Sequence, residues 1–308
     1  MARLRVGTRG SKLALTQTAI AIDALRAAAE RRGVDIEAEV VTIRTRGDAV
    51  TDRPFEAIGP KGVFAAEVQR ALLDDRVDVA VHSAKDLPAV EPARLVLAAV
   101  LAREDPRDVL VSRDGKGLGE LPEGAVVGTS SSRREALIRI VRPDLRTAPL
   151  RGNVDTRLEK VASGEVDAAV LAAAGIVRLG RQDAITERLD PLHFVPPPGQ
   201  GALAIEAEES RFGSDLSWVG DAEDGPTRAC IDTERAFMQL VEGGCEVPLG
   251  AWARHEGAEL VCDVLVAAAD GSAAIRDSMR GTDPRALGAD LARAVLAKGA
   301  ARLRQSPG

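Results

Sequence analysis

Val6-Gly7-Thr8-Arg9-Gly10-Ser11-Lys12-Leu13-Ala14-Leu15 and Val127-Gly128-Thr129-Ser130-Ser131-Ser132-Arg133-Arg134-Glu135-Ala136-Leu137 are two versions of one pattern. Each runs from an apolar strand, through Gly-Thr and a small polar turn, into the spacing of a helix. The likeness continues in order. Each copy next reaches an Arg-Gly turn, at Arg46-Gly47 and at Arg151-Gly152, and then a helical segment. Each closes on a buried strand opened by Val-Asp: Val77-Asp78-Val79-Ala80-Val81 and Val166-Asp167-Ala168-Ala169-Val170-Leu171. Strands alternating with helices predict parallel sheets covered on both faces. Two copies predict two similar α/β lobes.

Outward from the copies, two segments read as crossings between the lobes. Arg103-Glu104-Asp105-Pro106-Arg107-Asp108 is charged and broken by proline, and Pro196-Pro197-Pro198-Gly199-Gln200-Gly201 is stiff. The second leads into Ala202–Ala207, a strand able to rejoin the first sheet. Beyond it, Thr227–Val241 has helical spacing and Gly243-Gly244 stops it. Three strand candidates follow, Val247–Arg254, Leu260–Ala267 and Ala274–Arg280, then a closing helix, Pro284–Leu303. The expected division is a discontinuous first domain (1–102 and 202–220), a second α/β domain (103–201) and a small α+β domain (221–308). The polar, glycine- and proline-rich stretch Arg44–Gly62 is long enough to read as a lid.

Composition removes several classes of function. A net charge of −6, two tryptophans, five phenylalanines and no tyrosine leave neither the basic surface nor the stacking rings that nucleic-acid binding requires. No apolar run reaches the roughly 18 residues of a membrane span, and the N-terminal stretch lacks the pattern of a secretory signal. The expected location is the cytoplasm. Cys230, Cys245 and Cys262 are widely spaced, as are His82, His193 and His255, which argues against a metal site or a disulfide framework.

The chemistry concentrates where strands give way to helices. There, free backbone N–H groups and the helix dipole favour anions. Thr129–Ser132 adds hydroxyls and Arg133-Arg134 adds two guanidinium forks. Arg9 and Ser11 hold the equivalent place in the first copy, and Arg151 and Arg157 flank the next helix start. Ser132-Arg133-Arg134-Glu135 also fits a simple capping box. Recurrence at matching strand ends favours a ligand, and arginine forks suit a polyanion bearing carboxylates or phosphates. His82-Ser83-Ala84-Lys85-Asp86-Leu87-Pro88 places an imidazole, a hydroxyl, an ammonium and a carboxylate at another strand end. Cys230 and Cys262 lie in helix and strand patterns, as buried thiols do. Cys245 instead lies in the glycine-rich run Glu242-Gly243-Gly244-Cys245.

Taken jointly, these stretches, with Leu150-Arg151-Gly152-Asn153, Ala172–Gly180 and Gly199-Gln200-Gly201, resemble the porphobilinogen deaminase family in content and order from residue 5 to about residue 252. The resemblance implies two domains built like bilobal solute-binding proteins, a third small domain, and a monomer. It implies stepwise condensation of four porphobilinogen molecules, with loss of ammonia, into hydroxymethylbilane. It also implies a dipyrromethane cofactor held as a thioether on Cys245. By similarity Asp86 is the catalytic carboxylate, while Lys85, Ser131, Arg133, Arg134, Arg157 and Gly175 bind the cofactor. Arg9, Ser11, Arg151, Arg178, Phe64 and Gln200 bind substrate, and Lys61 belongs to the lid. Ser132 stands where the family commonly has a hydrophobic residue. A non-catalytic bilobal binding protein for an anionic small molecule is the competing expectation; it would need neither Cys245 nor Asp86.

Overall fold

The computed structural model describes residues 2–44, 65–242 and 248–305. The expected lid, with Arg46-Gly47 and Lys61, lies almost wholly outside the described residues, and so do Phe64, Gly243, Gly244 and Cys245. The chain divides into two compact units, Met1–Glu104 with Ala202–Ala229 and Asp105–Gly201 with Cys230–Gly308. Among the described residues no helix is long and apolar enough to cross a membrane.

In the first unit, β1 (Ala2–Arg9), β2 (Ile36–Ile43), β3 (Val79–Ser83), β4 (Leu95–Val100) and β10 (Leu203–Glu208) form one sheet in the order β2-β1-β3-β10-β4. In the second unit, β5 (Asp108–Ser112), β6 (Val126–Gly128), β7 (Arg146–Ala148), β8 (Ala168–Ala172) and β9 (Glu187–Arg188) form another in the order β7-β6-β8-β5-β9. The two orders correspond strand for strand, with β1 matching β6 and β3 matching β8. The expectation of all-parallel sheets is corrected in one respect. β10 runs antiparallel to β3 and β4, and β5 antiparallel to β8 and β9. Both strands enter from the segments read as crossings rather than from a strand-helix-strand unit, so no crossover helix forces them parallel.

Both sheets are apolar on two faces. Along β3, Val79 and Val81 pack with Leu25 and Val6 on one side, and Ala80 packs with Val68 and Leu72 on the other. Along β8, Ala168 and Val170 join Leu137 and Val127, whereas Ala169 and Leu171 join Leu158 and Val161. Strands buried on both faces therefore read as unbroken apolar runs. β11 (Leu249–Glu256), β12 (Glu259–Ala267) and β13 (Ala274–Gly281) form an antiparallel sheet. Leu265 and Ala267 of β12 pack into the Leu137 cluster of the second unit. The closing helix ends at Ala297, before Gly299 at φ +97°, and a short 3-10 stretch replaces its expected tail.

Candidate functional site

In the first unit, β1 ends at Arg9 and the helix Lys12–Arg31 begins three residues later. Ser11 is its N-cap; its Oγ accepts the Ala14 N–H at 3.2 Å. That leaves the hydroxyl proton of Ser11 available to an acceptor at the helix start. Arg9 is half-buried beside it. At the end of β3 the chain makes a single 3-10 turn, Ala84–Asp86, whose first N–H donates to the Ala202 carbonyl at 3.0 Å. The Ser83 hydroxyl and the Gln17 side-chain amide are 3.0 Å apart. Lys85 is exposed and Asp86 half-buried. Among the described residues no hydrogen bond or ion pair holds the Asp86 carboxylate.

The second unit repeats this construction at β6. Thr129 Oγ1 accepts the Ser131 N–H at 3.2 Å, and Ser130 Oγ donates to the Leu150 carbonyl at 2.8 Å. The helix Ser132–Val141 is capped by Ser131, whose Oγ accepts the Arg134 N–H at 3.4 Å. The capping residue is thus one position earlier than the Ser132 box predicts, and Ser132 is exposed. A Cβ on Gly128 would lie 2.9 Å from Leu150 Cδ2, so the close approach of the Leu150-Arg151 segment to β6 requires glycine there. Gly152, at φ +107°, turns that segment into the helix Val154–Ala162, which Asn153 caps through the Thr156 N–H at 2.8 Å.

The guanidiniums of this unit fall into two groups. Arg133 is buried; it donates to Asp108 Oδ2 at 2.6 Å and to the Val195 carbonyl at 2.7 Å. Arg134 donates to Asp108 Oδ1 through Nη2 at 2.8 Å and Nε at 3.1 Å, and to the Val170 carbonyl at 3.1 Å. Gln200 adds a bond to Asp108 Oδ1 at 3.0 Å and another to the Pro106 carbonyl at 2.7 Å. Burial alone would raise the fully enclosed Asp108 carboxyl. The charges of Arg133 and Arg134, with the Arg134 and Gln200 hydrogen bonds, outweigh it and hold that carboxyl well below the usual carboxylate range. Burial likewise depresses Arg133.

Arg157 belongs to the second group. Burial, then the like charges of Arg134 and Arg151, push it down to about 10. It still carries its charge at neutral pH. Guanidiniums crowded closely enough to disfavour one another call for an anion. Arg178 donates to the Gly201 carbonyl at 2.6 Å, and Gly175 is buried in the short helix Ala173–Arg178.

The structure therefore groups Arg134, Arg151 and Arg157 in one unit, and sets Arg9, Ser11, Lys85 and Asp86 at strand ends of the other. Asp108, Glu206 and Glu234 are buried carboxylates that local pattern does not single out. Asp108 closes the charged segment Arg103–Asp108, Glu206 lies in the strand Ala202–Ala207 and Glu234 in the helix Thr227–Val241. The signal for Glu206 in the sequence is an acid inside an otherwise apolar run.

Residues 4–213 match the family model "Porphobilinogen deaminase, dipyromethane cofactor binding domain", and residues 228–297 match "Porphobilinogen deaminase, C-terminal domain". The chain is 48% identical over 300 residues to the porphobilinogen deaminase of Roseiflexus castenholzii, covering 96% of each chain. It is 47% identical over 313 residues to that of Mycobacterium ulcerans, covering 97% of this chain and 96% of the relative. It is 44% identical over 301 residues to that of Brevibacillus brevis, with the same coverage. Among solved structures, a TRAP periplasmic solute binding protein from Ochrobactrum anthropi is similar at 10% identity and TM-score 0.44, covering 79% of this chain and 77% of that one. The VFT2 domain of BvgS from Bordetella pertussis is similar at 17% identity and TM-score 0.40, covering 72% and 85%.

Proposed function

This chain belongs to the porphobilinogen deaminase family, and we propose that it builds its product on a dipyrromethane primer joined to Cys245, with Asp86 as the catalytic carboxylate. The activity is that of a transferase: porphobilinogen units are condensed into hydroxymethylbilane with release of ammonia. The carrying observation for the residue assignments is that Arg9, Ser11, Lys85 and Asp86 in one unit, and Ser131, Arg151 and Arg157 in the other, stand where strands give way to helices; the lowering of Arg157 to about 10 by burial and by Arg134 and Arg151 accords with it. A dipyrromethane made from porphobilinogen carries carboxylates, the groups that planar guanidinium forks bind best. The donor set fits the cofactor. When bound, the primer supplies the nucleophilic pyrrole carbon to which units are added.

The chain's own residues do the rest. Arg151, Arg157 and Arg178 bind carboxylate side chains, and Arg134, braced on Asp108, adds a fourth positive group. Ser11 and Ser131 donate hydroxyl protons while accepting their cap bonds, Lys85 binds the anionic substituents of the primer, and Arg9 binds those of the incoming unit. Gln200 acts through Asp108. Asp86 stabilises the positive charge that spreads onto the porphobilinogen pyrrole nitrogen as ammonia leaves. A preset carboxylate at a developing cation needs no reorganisation during the step. Roles for Gly175, Phe64 and Lys61 rest on similarity alone. A monomeric enzyme of the cytoplasm, serving tetrapyrrole biosynthesis, completes the proposal.

Intact mass under denaturing conditions tests the attachment. The expected result is an added mass of two linked pyrrole units, absent from Cys245→Ser. An unmodified mass that persists after incubation with porphobilinogen would overturn the assignment of Cys245.

A further inference from the structure

β10 is apolar and buried from Leu203 to Ala207 except at Glu206, which is 1% exposed. Isolated carboxylates are costly to bury, by several kcal/mol on the order of magnitude, so one retained in a core strand needs partners. Both Glu206 oxygens accept from the Gln69 side-chain amide at 3.0 Å. Gln69 is itself buried on the helix Ala66–Leu73. His82 Nε2 stands 3.0 Å from Glu206 Oε2, within ion-pair range but not aligned for a hydrogen bond. His82 ties this cluster to the strand that leads into the Asp86 turn. His82 pairs with Ala204 across the β3–β10 ladder, four residues before Asp86. The β10–β4 register also slips between Ile205 and Glu206; bulges of this kind re-aim side chains and concentrate near active sites.

We propose that Glu206, through His82, is a positioning residue for the Asp86 carboxylate. The inference rests on the catalytic role given to Asp86. The polar cluster clamps the end of β3 from the side of the helix Ala66–Leu73. On the following residues, the Ser83–Gln17 contact and the Ala84–Ala202 hydrogen bond clamp the same strand end from other elements. Three consecutive residues are thereby anchored before the turn that presents Lys85 and Asp86. His82, a member of the active constellation by sequence pattern, is buried, and its part is to hold the strand rather than touch substrate.

The test is a double-mutant cycle on the primer-loaded enzyme. Glu206→Gln keeps the shape and removes the charge; misplacement of a reacting group by about 1 Å costs on the order of a hundredfold. The expected result is a fall in kcat of about tenfold to a hundredfold, with KM for porphobilinogen changed less than about threefold. In an Asp86→Asn background the same substitution should cost nothing further, because the group it positions is gone. An equal loss in both backgrounds would mean a general structural role and overturn the inference, as would wild-type kcat in Glu206→Gln. If Glu206→Gln does not fold, His82→Asn is run through the same cycle and read the same way. Near-normal turnover in Asp86→Asn alone would instead defeat the underlying assignment, so the two failures are distinguishable.

Discussion

Single residues differ in how far the fold commits them. Asp86 keeps a half-buried carboxylate with no hydrogen-bond or ion-pair partner among the described residues. Asp86→Asn should therefore fold, with an unchanged circular dichroism spectrum, and lose about a hundredfold or more in turnover; near-normal turnover would remove its role. Arg151→Leu should slow primer loading and early elongation, both visible by mass spectrometry, and unchanged loading would refute the carboxylate contact. Asp108 is at the other extreme. Removing a buried, paired charge costs about 3–5 kcal/mol, so Asp108→Ala should lower the urea midpoint strongly. The pH dependence follows from the depressed carboxyl. Its contribution is present above the unfolded value of about 3.9 and is lost as pH falls through the lower folded value. Acid unfolding of the wild-type protein should steepen below about pH 4, and that component should be missing from Asp108→Asn.

Among elements, the echo between the two copies has a physical meaning that its residues only partly advertise. Asp78 and Asp167, the acids of the two Val-Asp strand openings, do the same work. Arg5 N–H donates to Asp78 Oδ2 at 2.6 Å, and Val126 N–H donates to Asp167 Oδ2 at 2.8 Å. In return the Asp78 N–H donates to the Arg5 carbonyl and the Asp167 N–H to the Val126 carbonyl. Each side chain thus extends the parallel ladder past its last backbone pair. Ser11 and Ser131 cap the corresponding helices in the same way. Ser131→Ala should cost about 1 kcal/mol, measured by denaturant melts. Gly128→Ala should cost about 1–3 kcal/mol by forcing Leu150 away from β6; a melt unchanged from wild type would show that the segment yields freely. The copies, the strand ends and the arginine pair were legible because strand-turn-helix units and caps are written in contiguous residues. The antiparallel course of β5 and β10 was not, since strand direction depends on where the chain re-enters a sheet.

At the scale of the whole molecule, a chain of net charge −6 sets basic side chains at particular strand ends. Anion binding there should be weakened by salt. Raising ionic strength from about 0.01 M to about 1 M shortens the screening length from about 30 Å to about 3 Å. KM for porphobilinogen should rise while kcat changes less; a salt-independent KM would argue against charge recognition. Within the second unit, the small sheet of β11, β12 and β13 shares a core with the β5–β9 sheet through Leu265 and Ala267, a contact no local pattern foretold. The sequence by itself determined the repeated strand-turn-helix plan and the candidate groups Cys245, Asp86 and the arginines. These follow from local spacing and from motifs that survive in linear order. Only the tertiary structure decided that Arg133 and Arg134 are committed to the buried Asp108 carboxylate, and that Arg157 feels the like charges of Arg134 and Arg151. It also decided that Arg134 braces on Asp108 while lying close enough to lower Arg157, and that Glu206 lies against His82. Such assignments depend on desolvation and on partners distant in the chain, 25 residues for Asp108–Arg133 and 137 for Gln69–Glu206, and linear order carries no record of either.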